Sequence, residues 1–152
     1  MDKKRLQVQQ LNSKMQSFQT LQKLPVPPIG WIRAVRSALG ISLQQLAAKM
    51  NSSKQNIAML ERREKEGTIS LKTLRDAANA LNMDLVYGFV PKDGSLEKLI
   101  DRKAEELAKK VVLRTSNTMK LENQQNSDER IQKAIEERTT SFKNELPKIL
   151  WD

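Results

Sequence analysis

The stretch SLQQLAAKMNSSKQNIAMLE, Ser42 to Glu61, decides how the chain is read. Ser42 and Ser53 each precede a run of periodic apolar positions, as helix N-caps do. Leu43, Leu46, Ala47 and Met50 mark the inner face of a first short helix, and Ile57 and Leu60 that of a second. Between them Asn51 tolerates the left-handed conformation that a tight turn needs. Ala47 is small where the helices cross, which permits close approach at a steep angle. The second helix opens with Ser53, Lys54, Gln55 and Asn56. Such side chains have little reason to be buried and good reason to meet base edges, where they donate and accept in the major groove. No Asp or Glu stands among them to repel phosphate. The pattern predicts a DNA-reading pair of helices rather than a plain hairpin in a bundle.

Working outward from this pair, Trp31, Ile32, Val35 and Leu39 predict the buried face of a preceding helix that Gly40 ends. Ser70 caps a following helix, SLKTLRDAANALN, with Leu71, Leu74, Ala77, Ala78 and Leu81 inward. Four helices are thus expected between Gly30 and Leu81, and a fifth if the segment around Glu64, which otherwise extends its predecessor or forms a polar loop, is itself helical. Met83 to Pro91, MDLVYGFVP, is β-branched and aromatic with a period near two. It reads either as a short strand near 84–90, able to pair with its copy in a second subunit, or as an extended tail over the helical core.

The flanks read as helices too. Residues 1–24 carry Val8, Leu11, Met15, Phe18 and Leu21 in steps of three and four, an N-terminal helix too short for an independent coiled coil. Residues 25–30 are a proline-rich linker that cannot continue it. Residues 30–92 form the predicted helix-turn-helix domain, and 95–152 a C-terminal helical extension. Ser95 caps a long helix bearing Leu96, Leu99, Ile100, Leu107 and Val111; Ser127 caps a last one with Ile131, Ile135, Phe142 and Leu146, stopped by Pro147. The fold class expected is all-α.

Composition agrees with that division. Residues 1–94 hold 15 Lys/Arg against 7 Asp/Glu, a net of +8, whereas residues 95–152 hold 12 against 11, a net of +1. The basic excess travels with the predicted DNA-binding half, where phosphate neutralisation needs it. Cysteine and histidine are both absent from the sequence, which removes thiol chemistry, zinc fingers and histidine general-base catalysis. No glycine-rich phosphate loop or paired carboxylates suggest an enzyme, so no catalytic residue, cofactor or metal is expected. No apolar run approaches the ~20 residues of a membrane span, and MDKKRLQVQQ lacks the apolar core of a signal peptide. A cytoplasmic protein is expected.

SLQQLAAKMNSSKQNIAMLE resembles the helix-turn-helix of the lambda-repressor-like (Xre) family, and Ser70–Leu81 resembles that family's following helix. The resemblance implies a five-helix DNA-binding domain acting as a dimer on pseudo-palindromic operators. Lys54, Gln55 and Asn56 then read bases; Ser42, Ser53, Ser70 and Lys72 lie near phosphates, partly through helix N-termini; Arg36 and Glu61 form a structural ion pair. Two features depart from the pattern. Leu43 replaces a phosphate-contacting glutamine common in the family, and Arg62 to Ile69 exceeds the usual turn in length. Met59 either reaches a thymine methyl or faces inward.

Over nearly its whole length, through PPIGWIRAVRSALGISLQQLA, ERREKEGTISLKTLRDAANAL, DLVYGFVP and the terminal LWD, the chain resembles mobile mystery protein A. The resemblance implies a neighbour, mobile mystery protein B, that carries a Fic domain and transfers a nucleotide moiety to hydroxyl side chains. Thr118, Glu122 and Asn123, in TSNTMKLEN, are similar to the inhibitory [S/T]-x-x-x-E-[G/N] helix of Fic antitoxins. In that setting the glutamate pairs with an arginine of the Fic motif and occupies the γ-phosphate site; the spacing of four puts Thr118 and Glu122 on one helix face. The same residues also suit a solvated helix face. In that case residues 95–152 mainly dimerise, with Ile131, Ile135, Phe142 and Leu146 as the seam.

Overall fold

The computed structural model describes residues 3–121 and 128–152, without the side chains of 117–121. All regular structure among the described residues is helical: α1 (Lys3–Gln16), α2 (Trp31–Ala38), α3 (Leu43–Lys49), α4 (Lys54–Glu66), α5 (Leu71–Ala80), α6 (Leu96–Leu121) and α7 (Asp128–Glu145), with short 3-10 helices at Gln19–Lys23 and Lys148–Trp151. None of these is long and apolar enough to cross a membrane. The chain divides into two compact units, Lys23–Tyr87 and, from its two ends, Met1–Gln22 with Gly88–Asp152.

In the unit Lys23–Tyr87, serines set the starts of three consecutive helices. The hydroxyl oxygens of Ser42, Ser53 and Ser70 accept from the backbone N–H groups of Gln45, Asn56 and Thr73, each satisfying one of the donors that a first helical turn leaves open. The core these helices enclose is Ile32 of α2, Leu46 and Ala47 of α3, Ile57 of α4, and Ala77 and Leu81 of α5 and its end. Leu46, Ile57 and Ala77 are fully buried. The segment around Glu64 is not a separate helix. It continues α4 without a break to Glu66, where Gly67 at φ 78° supplies the left-handed cap. Residues 31–80 therefore hold four helices.

Three residues expected inward lie at the surface: Trp31, Leu39 and Leu71 are about half exposed. Trp31 and Leu71 are the first residues of α2 and α5, and Leu39 caps α2. At such end positions the apolar stripe has already run past the core. The strand near 84–90 is also not formed. Met83–Val90 runs without helix, turn or bend and bridges to no described residue, and Val86, Tyr87 and Phe89 are exposed. β-Branched and aromatic residues favour a strand only where another strand offers them a pleated surface to pack on, and there is none among the described residues.

In the other unit α6 and α7 pack as an antiparallel pair. Asp101 near the start of α6 meets Lys143 near the end of α7 at 2.9 Å, and Ala104, Ala108 and Ile135 are buried. The α7 stripe Ile131, Ile135, Phe142 and Leu146 is thus buried or half-buried within one chain. Ser95 Oγ accepts from Lys98 N, and Asn12 Oδ1 of α1 accepts from Leu96 N at 3.0 Å, so two side chains close the N-terminus of α6. Gln19 donates to the Gly94 carbonyl. Arg102 grips Asp93 with two nitrogens, at 2.8 and 3.1 Å, and this hydrogen bonding holds the Asp93 carboxyl below its ordinary value of 3.8.

Candidate nucleic-acid interface

The α3–turn–α4 pair is built from local interactions. Ser42 and Gln45 form a reciprocal box: Gln45 N donates to Ser42 Oγ at 3.0 Å, and Ser42 N to Gln45 Oε1 at 2.8 Å. The chain leaves α3 through Asn51 at φ 51°, with Ser52 N donating to the Ala47 carbonyl at 2.9 Å. Ala47 is buried at this crossing, where any larger side chain would hold the helices apart. Ser53 then starts α4 by accepting from Asn56 N at 3.1 Å.

The two faces of α4 separate cleanly. Ile57 and Glu61 are buried and Leu60 and Glu64 half-buried; Gln55, Ala58, Met59 and Arg62 are exposed on the opposite side, as steps of three and four on one helix require. Met59 faces outward, half exposed. Lys54, Gln55 and Asn56 occupy the first turn, all exposed.

Two contacts between α2 and α4 hold that turn in place. Arg36 donates through Nη2 to Glu61 Oε1 at 2.7 Å and through Nε to Glu61 Oε2 at 3.1 Å, while its Nη1 donates to the Ile41 carbonyl at 2.9 Å. Both partners are largely buried, with side chains 13% and 7% exposed. One turn further along α4, Glu64 accepts from Trp31 N at 2.9 Å and from Ile32 N at 2.8 Å. Gly30, at φ 86°, brings no capping side chain of its own, so a carboxylate from α4 caps α2 and meets the positive end of its dipole. A Cβ at Gly30 would stand 2.9 Å from Glu64 Oε1. Sequence reasoning missed Glu64. The only signal was the glycine, with no Ser, Thr, Asp or Asn where α2 needed a cap.

The serines differ in what they can still offer. Ser42 and Ser53 accept within the fold and keep their hydroxyl protons as donors. Ser70 Oγ both accepts from Thr73 N at 3.1 Å and donates to Thr73 Oγ1 at 2.8 Å, so its remaining anion donors are the backbone N–H groups of the first turn of α5, beside exposed Lys72. In the other unit, Glu122 and Asn123 lie outside the described residues. Thr118 falls within α6, and its side chain also lies outside them.

Residues 32–87 match the model of a helix-turn-helix family. This segment is a helix-turn-helix domain. The match begins at Ile32 and ends at Tyr87, wholly inside the compact unit Lys23–Tyr87 and ending where that unit ends. Comparison with curated proteins and with solved structures gives no match. The helix-turn-helix domain gives the chain the DNA-binding module of a transcription regulator, and its fold is the all-helical arrangement of lambda-repressor-like domains.

Proposed function

We propose that the protein is a sequence-specific transcription regulator that binds a pseudo-palindromic operator as a homodimer and represses its own operon. Lys54, Gln55 and Asn56 read bases, and Ser42, Ser53, Ser70 and Lys72 contact phosphates. The first turn of α4 carries this reading. Its three polar side chains are exposed and hydrogen-bond to nothing among the described residues, although α4 itself is fixed to α2 by Arg36–Glu61 and by Glu64. Rigid placement of uncommitted donors and acceptors is what base readout requires. The test is fluorescence anisotropy on the protein's own promoter beside a Lys54→Ala/Gln55→Ala variant. Loss of promoter preference is expected, and equal binding by the variant would sink the assignment.

The proposal has a second part, which rests on the resemblance to mobile mystery protein A. The regulator is the cytoplasmic antitoxin of a Fic-type toxin–antitoxin pair, and Thr118, Glu122 and Asn123 form its inhibitory element. The Glu122 carboxylate takes the arginine that would hold the γ-phosphate of the partner's nucleotide. α6 is helical at Thr118, and the spacing of four from Thr118 to Glu122 is read from the sequence alone. The alternative is a dimeric helix-turn-helix repressor with no direct inhibition of a partner enzyme. Co-purification with the neighbouring Fic protein, then an AMPylation assay with Glu122→Gly, separates the two, since undiminished inhibition by that variant leaves only the repressor.

A further inference from the structure

A groove of about 340 Å³ opens on the helix-turn-helix domain between α2, α5 and the segment after α5. Its walls are mostly apolar, with Trp31 and Val35 of α2, Leu74 and Ala78 of α5, then Leu81 and Leu85, and the Asp84 carboxylate is the one charged group among them. No residue of α3 or α4 lines it, so an occupant would leave the first turn of α4 free. Trp31 and Val86 at its rim and Tyr87 beside it are left largely exposed in the single chain, at 53%, 69% and 57%. The backbone there is equally uncommitted. Met83 N bonds to the Ala78 carbonyl, but Asp84 to Tyr87 make no backbone hydrogen bond to any described residue.

We propose that this face is where two copies of the chain meet, Leu85–Tyr87 of one pairing antiparallel with Leu85–Tyr87 of the other across a two-fold axis. The inference rests on the dimeric reading above and supplies its interface. Self-association is favoured because one patch holds both halves of the contact, a groove and protruding apolar side chains, as an isologous interface demands. The open N–H and C=O groups of an extended edge are satisfied by a second strand of like kind. Register follows from charge. Pairing centred on Val86 sets Leu85 against the copy's Tyr87, an aliphatic–aromatic cross-strand pair. It also holds the two Asp84 carboxylates about 13 Å apart along the ladder at ~3.3 Å per residue. The rival seam on α7 has less to offer, since Ile135 is already buried in its own chain.

The experiment is sedimentation of the full chain against Val86→Glu and Tyr87→Glu, with circular dichroism to show that the helices persist. Both sites are exposed, so neither change disturbs the single chain's core. Wild type should sediment as a dimer, and each variant should raise the dimer dissociation constant about 100-fold or more, because a charge would then be buried without a partner. A monomeric wild type, or variants that dimerise as wild type does, overturns the interface. Binding of the same proteins to a single half-site distinguishes this from failure of DNA reading. Val86→Glu should match wild type there, and a dimer that binds neither half-site nor promoter would overturn the operator reading while leaving the interface standing.

Discussion

Glu64 and Ile32 stand 32 residues apart in sequence, yet the carboxylate Oε1 of one accepts the backbone N–H of the other at 2.8 Å. With the parallel bond from Trp31 N, the extended α4 caps α2. Glu64→Ala should therefore lower the stability of the domain by about 1–2 kcal/mol, the usual range for a lost cap with its charge–dipole contribution. Gly30→Ala should cost a similar amount, from left-handed strain and from a Cβ set against Glu64 Oε1. The double variant should cost less than the sum, because removing the carboxylate relieves the clash. Urea unfolding of the four proteins measures this, and strict additivity would show that the glycine is required for its backbone conformation alone.

Arg36 and Glu61 predict a larger and differently shaped effect. Removing one partner, as in Arg36→Met, leaves the Glu61 carboxylate unpaired at 7% exposure and should cost about 3–5 kcal/mol. Replacing both, as Arg36→Met/Glu61→Leu, should recover much of that loss, since the desolvation penalty of both charges disappears. Chemical denaturation compares the two. If the double variant were the less stable by a wide margin, the pair would be a net source of stability rather than a matched necessity.

Most of the α3–turn–α4 pair was legible because its determinants are local. Ser42, Ser53 and Ser70 act on N–H groups three residues away, and Leu46, Ala47 and Ile57 follow the period of one helix. Glu64 was not legible for the opposite reason. Its partners lie in another helix, and the charge-rich run around it gave no sign of whether α4 would stop. The misread residues share a cause. Trp31, Leu39 and Leu71 fit an apolar period whose ends lie beyond the core, and Val86, Tyr87 and Phe89 fit a strand for which the described residues provide no partner. A pattern states which face is apolar, not whether anything covers it.

Asp93 and Arg102 tie the loop before α6 to that helix, and their pairing gives stability a pH dependence. The Asp93 carboxyl is held below 3.8 by hydrogen bonding to the Arg102 guanidinium. A group whose folded value is depressed contributes stability that is present above its unfolded value and lost as pH falls through the folded one. Asp93→Asn should thus be less stable than wild type at neutral pH, with the gap closing as pH falls below 3.8 and the wild-type carboxyl protonates. Thermal melts across that range check the prediction, which fails if the gap stays constant.

Ser53 offers the sharpest separation of fold from reading, because one oxygen caps α4 and stands beside the proposed phosphate contact. Ser53→Ala removes the acceptor for Asn56 N. It should cost about 1 kcal/mol of stability and also weaken promoter binding, since the frayed turn is the one that carries Lys54, Gln55 and Asn56. Ser53→Asp keeps an acceptor at the cap and adds a charge favourable to the helix dipole, so stability should hold or rise slightly. The same carboxylate faces DNA phosphate, and promoter affinity should fall further than in the alanine variant, with a shallower dependence on salt. Stability and affinity would then move in opposite directions in one protein. If Ser53→Asp instead bound the promoter as wild type does, the start of α4 would not face DNA, and the assignment of Lys54, Gln55 and Asn56 to the bases would go with it.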